Sequence, residues 1–227
     1  MGRKLRKLEI LYEDNHLIVV VKPVNILSQK DITNDIDMVT IVKEYIKEKY
    51  YKPGNVYLGL VHRLDRVVGG IMVFAKTSKA AKRISQQIKN HTFKKTYLAV
   101  VSNNIKKDND FFIDYLEKDK DGFSKVVNKD IGKYSSLSYE VIERVEDKAL
   151  VKINLQTGRH HQIRVQFATR KYPICGDQRY GELDNTQIAL WAYSIEFVHP
   201  VTKEILTFTK LPTNKPYFQL FKYINNR

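Results

Sequence analysis

Strand-like segments outnumber helical ones in this sequence, and the two kinds do not alternate regularly. "EILYEDNHLIVVVKP" reads as two strands joined at Glu13–Asn15, with Pro23 ending the second. A helix over residues 37–50 places Ile41, Val42, Tyr45 and Ile46 on one face. "VYLGLVHRLD" and "GGIMVFAKT" read as two more strands with Arg66 to Gly69 between them. Thr77 or Ser78 then caps a helix over residues 79–90, with Ala81, Ile84 and Ile88 inward. "KTYLAVVS" is a strand. "YSSLSYEVIERV" and "ALVKINLQTGR" form a hairpin turning near Glu146–Lys148. Residues 160–170 read as a helix with Ile163, Phe167 and Ala168 inward, and "QIALWAYSIEFVHP" with "EILTFTKLP" makes a last hairpin turning at Pro200–Lys203. Residues 103–133 are charged and weakly patterned, which suggests short, mobile edge strands and loops. This order predicts an α+β fold on a mixed, mainly antiparallel sheet, and argues against a doubly wound parallel one.

The charge balance narrows the partners. Lys and Arg total 39 against 25 Asp and Glu, a formal net charge of +14. A folded basic chain of this kind points first to nucleic acid and second to an anionic membrane surface, with solubility charge as the plain alternative. Cys175 is the single cysteine, so no internal disulfide forms, and no Cys/His spacing resembles a zinc site. The longest apolar run, Leu17 to Val21, is far too short to cross a bilayer, and the basic start lacks a signal-peptide core. A soluble protein of a reducing cytoplasm is expected, without a membrane partner.

Three stretches hold residues suited to chemistry. In "LVHRLDR", Asp65 lies between Arg63 and Arg66 at the end of an apolar run. If Val61 to Asp65 is extended, Arg63 and Asp65 share a face. Neighbouring cations favour an ionised carboxylate, which suits a nucleophile better than a general acid, and the same arginines could hold phosphates. An ordinary strand-end ion pair is the alternative. In "LQTGRHHQIR", Arg159, His160, His161, Gln162 and Arg164 crowd a strand-to-helix turn, a suitable place for phosphate or carboxylate. Arg164 falls near the buried face and therefore needs an acidic partner, for which Asp65 is a candidate. Adjacent helical histidines point about 100° apart and chelate one metal poorly, so no metal is expected. In "FKKTYLAV", Tyr97 follows two lysines; it is either strand packing or a surface on which a base stacks. Lys22 reads equally as a solvated lysine or a phosphate contact. Cys175 reads as a small buried residue, and Gly176 and Gly181 as turns.

Taken together, "HRLDR", "GGIMVFAKTSKAA", "KTYLAV", "LQTGRHHQIRVQFA", "YPICGDQRYG" and "LWAYSIEFVHPVTKE" resemble the RluA-type pseudouridine synthases in order and spacing, over roughly residues 8–210. The resemblance implies a sheet split into two halves with a central active cleft. It implies that Asp65 is the catalytic aspartate, that Tyr97 lies against the target uracil, and that Arg164 pairs with the catalytic carboxylate. Arg63 matches an arginine tied to holding the flipped-out nucleotide's place. His62, Arg66, Arg159, His161 and Gln162 complete the expected RNA-binding set. The implied reaction isomerises uridine in tRNA or rRNA with no cofactor, and neither DNA nor a partner subunit is expected. A non-catalytic RNA-binding or RNA-folding factor is the alternative. Many members carry Asp-Thr-Ser-Gly after the second arginine, where this chain has Val67, Val68, Gly69 and Gly70. That departure is expected at the pocket mouth. Residues 1–7 read as a basic arm and 8–227 as one catalytic domain, without the S4-type RNA-binding domain that many ribosome-modifying members carry.

Overall fold

The computed structural model describes residues 8–102, 105–181, 183–212 and 215–226; the basic arm over residues 1–7 lies outside them. Strand β1 (Glu9–Glu13) and strand β2 (Leu17–Lys22) form the expected antiparallel hairpin. Asp14 closes its turn by accepting from the backbone N–H groups of His16 and Leu17 at 2.8 and 2.6 Å. Every residue of β2 is buried, so its unbroken apolar run marks a strand covered on both faces. Helix α1 (Met38–Lys49) starts at Asp37, whose carboxylate accepts from Thr40 N, and it buries Met38, Ile41, Val42 and Ile46. Tyr45, Lys49 and Tyr50 all reach the carboxylate of Glu13, as does Lys76. Burial alone would raise the pKa of Glu13, but these four hydrogen bonds bring it down to about 2.

Strand β3 is only Gly59–Leu60, beside strand β4 (Gly69–Ala75), which also pairs with β2 from Leu17↔Ala75 to Lys22↔Gly70. The expected strand through Asp65 is therefore mostly irregular chain. Helix α2 (Ser78–Lys89) is capped by Thr77, whose hydroxyl accepts from Ala80 N. Its Ala80 and Ile84 join Leu17, Val19, Ile71, Val73, Phe93, Ile195 and Phe197 in one apolar core. Ala81 and Ile88 pack at the margin of that core.

Strand β5 (Lys94–Ser102) opens a second antiparallel run. Strand β6 (Asn109–Lys118) spans ten residues, longer than the short edge strands expected there, and is followed by strand β7 (Ser124–Val127). Strand β8 (Lys133–Val145) and strand β9 (Lys148–Leu155) turn at Glu146, which takes a left-handed φ of 52°. The pairings give the order β5-β9-β8-β6-β7. Helix α3 (Gln162–Thr169) starts after a left-handed His161 (φ 50°), two residues later than the sequence pattern suggests. Its Phe167 meets Phe112 of β6 and Tyr139 of β8, with ring centroids 5.0 and 5.6 Å away. Asp114 of β6 grips the same helix by accepting from Gln166 Nε2 at 2.7 Å and Arg170 Nη1 at 2.8 Å.

Strand β10 (Leu190–Val198) and strand β11 (Ile205–Thr209) form the last hairpin, and a short helix α4 (Lys222–Asn225) begins on the Glu143 carboxylate. The chain divides into two compact units: Met1–Phe93 with Ser194–Lys210, and Lys94–Tyr193 with Leu211–Arg227. Among the described residues, no helix is long and apolar enough to cross a membrane.

Candidate active site

Each unit carries its own part of the expected set: His62, Arg63, Asp65 and Arg66 in the first, Tyr97, Arg159, His161, Gln162 and Arg164 in the second.

In the first unit, the backbone on both sides of Asp65 is tied down by buried side chains. The Ser28 hydroxyl donates to Leu64 O at 2.7 Å and accepts from Leu64 N at 3.0 Å, which satisfies both backbone groups of the preceding residue. Lys22 is fully buried, and its Nζ donates to Pro23 O at 3.0 Å, Arg66 O at 3.0 Å and Val68 O at 2.7 Å. Val68 N bonds Asp65 O at 3.0 Å to close the turn. The loop is irregular because side chains, instead of a neighbouring strand, take its polar groups. Lys22 is thus neither a solvated lysine nor a phosphate contact. Burial lowers its pKa to about 7, against the raising pull of Asp65. Leu64 and Val68 point into the core, and Asp65 between them is only partly buried.

The residues flanking Asp65 differ in their engagements. Arg66 Nη1 pairs with Asp35 at 2.8 Å, both side chains about half exposed, so its charge already has a protein partner. Arg63 is exposed. His62 Nε2 accepts from Val73 N at 3.1 Å, which assigns its proton to Nδ1, and its ring lies 5.7 Å from that of Phe93. Val68, Gly69 and Gly70 are buried, the two glycines opening β4 with Gly70 at φ 123°. Most of the departure from Asp-Thr-Ser-Gly therefore changes packed backbone, and only Val67 stays partly exposed.

In the second unit, Tyr97 is buried on β5 opposite Ile153. Gln162 ties the turn between β9 and α3 together. Its Oε1 accepts from Thr157 Oγ1 and Arg159 N at 2.8 and 3.0 Å, and its Nε2 donates to Ser136 O and Gln166 Oε1, both at 3.1 Å. The amide's capacity is spent inside the protein, so the expectation of a direct RNA contact by Gln162 gives way to a role in shaping the turn. Arg159 Nε donates to Tyr134 O at 3.0 Å, and the residue is otherwise exposed.

His160 and His161 do not splay, because His161 is not yet helical. Their rings stack with centroids 3.7 Å apart. Tyr180 Oη accepts from Ser124 N at 2.7 Å and lies 3.0 Å from His161 Nδ1. Burial first, then the charges of Arg164 and His160, push the His161 pKa down to about 2. His161 is a neutral group here.

Arg164 is buried and held by a carboxylate absent from the sequence-derived set. Its Nε and Nη2 meet Asp177 Oδ2 and Oδ1 at 2.8 and 2.6 Å, and its guanidinium carbon sits 5.2 Å from the Tyr180 ring centroid. Asp177 Oδ1 also accepts from Arg179 N and Tyr180 N. This fork takes two of the five guanidinium N–H groups along one edge. The signal for Asp177 was the need of Arg164 for an acid, together with an aspartate inside the turn "PICGDQRYG". Cys175 in that turn is buried, and burial pushes its thiol up to about 11, so it stays protonated.

The first unit thus offers a partly buried carboxylate on a tethered loop, and the second a buried tyrosine and a guanidinium oriented by Asp177. Comparison with known proteins agrees with the resemblance in the motifs. A model described as RNA pseudouridylate synthase matches residues 16–169. The "Ribosomal large subunit pseudouridine synthase D" of Borreliella burgdorferi is 32% identical over 82% of this chain and 60% of its own length. The "tRNA pseudouridine synthase C" of Yersinia pestis is 31% identical over 89% of this chain and 85% of its own length. The first two curated relatives are matched over only 60% and 67% of their lengths. The solved structure of "Human RNA Pseudouridylate Synthase Domain Containing 4" shares the fold, with a TM-score of 0.76 at 21% identity over 92% of this chain and 89% of that one. The chain belongs to the RNA pseudouridylate synthase family, in its RluA-type branch.

Proposed function

We propose that this protein isomerises specific uridines of structured RNA, tRNA or rRNA, to pseudouridine, with Asp65 as the catalytic carboxylate and residues 8–227 acting as one catalytic domain. The reading rests on one observation: Asp65 sits, partly buried, on a loop whose flanking backbone is fixed by Ser28 and Lys22. Rigid support of that kind suits a reacting group. The relatives' names, one ribosomal and one tRNA, support RNA as the substrate class.

The reaction breaks the C–N glycosidic bond, turns the base and joins ribose C1′ to uracil C5, with loss of the C5 proton. A glycosidase uses two carboxylates, one directing water. An isomerase must exclude water, and one carboxylate suffices. In this reading Asp65 acts on the ribose, Tyr97 lies against the uracil and accepts its C5 proton, and Arg164 pairs with the Asp65 carboxylate. The base has to leave the stack to be reached, at a cost of a few kcal/mol, which cationic contacts to phosphate offset. Arg63 holds the vacated place in the helix.

The test follows tritium released to water from RNA labelled at uridine C5. Wild-type protein is expected to release it, and Asp65→Asn to release none while still binding RNA. Equal release by the Asn variant would remove Asp65 from its role. Tight RNA binding without release by either protein would favour a non-catalytic RNA-binding factor.

A further inference from the structure

Lys95 lies two residues before Tyr97 on β5, so the two side chains leave the same face of the strand. Its side chain is partly buried and reaches the turn after β9: a Cβ placed on Gly158 would stand 3.1 Å from Lys95 Nζ. A side chain on Gly158 would crowd the ammonium, which would have to give by a few tenths of an ångström. The Lys95 ammonium makes no hydrogen bond or ion pair with any described residue.

Other cations of the chain differ in this respect. Arg164 has Asp177, Arg170 has Asp114, Lys152 has Glu140 and Lys22 has three carbonyls. Burial, the single cause acting on it, lowers the Lys95 pKa. A lysine partly withdrawn from water beside a turn, with no internal counter-ion, is energetically incomplete until an anion arrives. The following residue, Arg159, is anchored through Nε to Tyr134 on the β8 side, whereas Lys95 approaches Gly158 from β5. Two cations thus bracket one turn from opposite sides.

We propose that Lys95 receives a backbone phosphate of the RNA beside the uridine held at Tyr97, with Gly158 providing the room for its ammonium and Arg159 extending the contact along the strand. The proposal deepens the RNA-isomerase reading and rests on it for the identity of the bound uridine. Lys95 is a binding residue and takes no part in bond making or breaking.

The test measures the RNA dissociation constant as a function of salt for wild type, Lys95→Gln and Lys95→Met, using bulk tRNA and rRNA fractions. One lost phosphate contact lowers the slope of log affinity against log salt by about 1. Both variants are expected to show that decrease, with roughly tenfold weaker binding at low salt. The maximal rate of tritium release should stay near wild type once RNA is saturating. Thermal unfolding of Lys95→Met should match or exceed wild type, since the methionine keeps the packing stem and removes a poorly solvated charge. An unchanged salt slope and affinity, or loss of stability in Lys95→Met with RNA binding intact, would make Lys95 a structural residue and overturn the proposal. Because binding is read directly, wild-type protein that binds RNA but releases no tritium would refute the isomerase reading alone. The slope comparison would still decide Lys95.

Discussion

Lys22 in the first unit and Arg164 in the second are both buried cations, and the protein satisfies them by different means. The Lys22 ammonium gathers three backbone carbonyls at 2.7–3.0 Å, two of them on the loop that carries Asp65. The Arg164 guanidinium instead forks onto one carboxylate, Asp177. The difference follows from shape. An ammonium directs three N–H bonds outward from a point and can draw separate backbone segments together. A guanidinium is flat and matches a carboxylate along one edge, which leaves further donors on its other edges. The first arrangement shapes a loop; the second aims a side chain. The electrostatic costs differ in turn: dipoles compensate a buried charge less fully than an anion does, and Lys22 falls to a pKa of about 7.

The largest effect on this contrast should come from Asp177→Asn. Removing one partner of a buried ion pair strands the other charge, at a cost of about 3–5 kcal/mol. Urea unfolding should show that loss, and pairing the change with Arg164→Met should recover part of it. A loss below about 1 kcal/mol would mean that the fork contributes little beyond a surface pair. Lys22→Met should cost less, about 1–3 kcal/mol, because it leaves carbonyls without donors yet also removes a desolvated charge. Its activity should fall further than its stability suggests, since the loop around Asp65 loses its tether. Equal losses in both would make Lys22 a core lysine and nothing more.

The pH response sharpens the same comparison. The folded pKa of Lys22 lies near 7, below the ordinary lysine value of 10.5. Between those values the unfolded chain binds more protons, so this group makes stability rise with pH, by at most about 1.4 kcal/mol per pH unit. Below pH 7 its cost is constant. The rise should vanish in Lys22→Met, and a wild-type curve that matches the variant across this window would contradict the lowered value. Arg164 cannot lose its proton and contributes no such slope. The smallest effect is expected from His161. With its pKa near 2 it stays neutral through the working range, and the pH–rate profile of His161→Gln should keep every inflection of the wild type between pH 5 and 8.

Each unit held one stretch that the sequence pattern misplaced. The β1–β2 hairpin, α1, α2 and the hairpins at Glu146 and Pro200 stood out because apolar periodicity and capping residues are local signals. Strand β6 was obscured because Asp114 occupies an inward position between buried Phe112 and Leu116. That position is acceptable only because Gln166 and Arg170 of another segment meet the carboxylate. The stretch Val61–Asp65 failed in the opposite sense. Its composition suits a strand, but Ser28 takes both backbone groups of Leu64, and Lys22 holds the Arg66 carbonyl just beyond the stretch.

The motifs by themselves determined the family, the set of residues offered for chemistry and most elements, since each depends on residue types and short spacings. Tertiary structure decided the partners. Lys22 meets carbonyls 44 and 46 residues away, and Arg164 meets an acid 13 residues on, across a turn. A sequence with 25 acidic residues names many possible counter-ions. Charge attraction falls with distance and carries no direction of its own, so only the folded backbone could select among them.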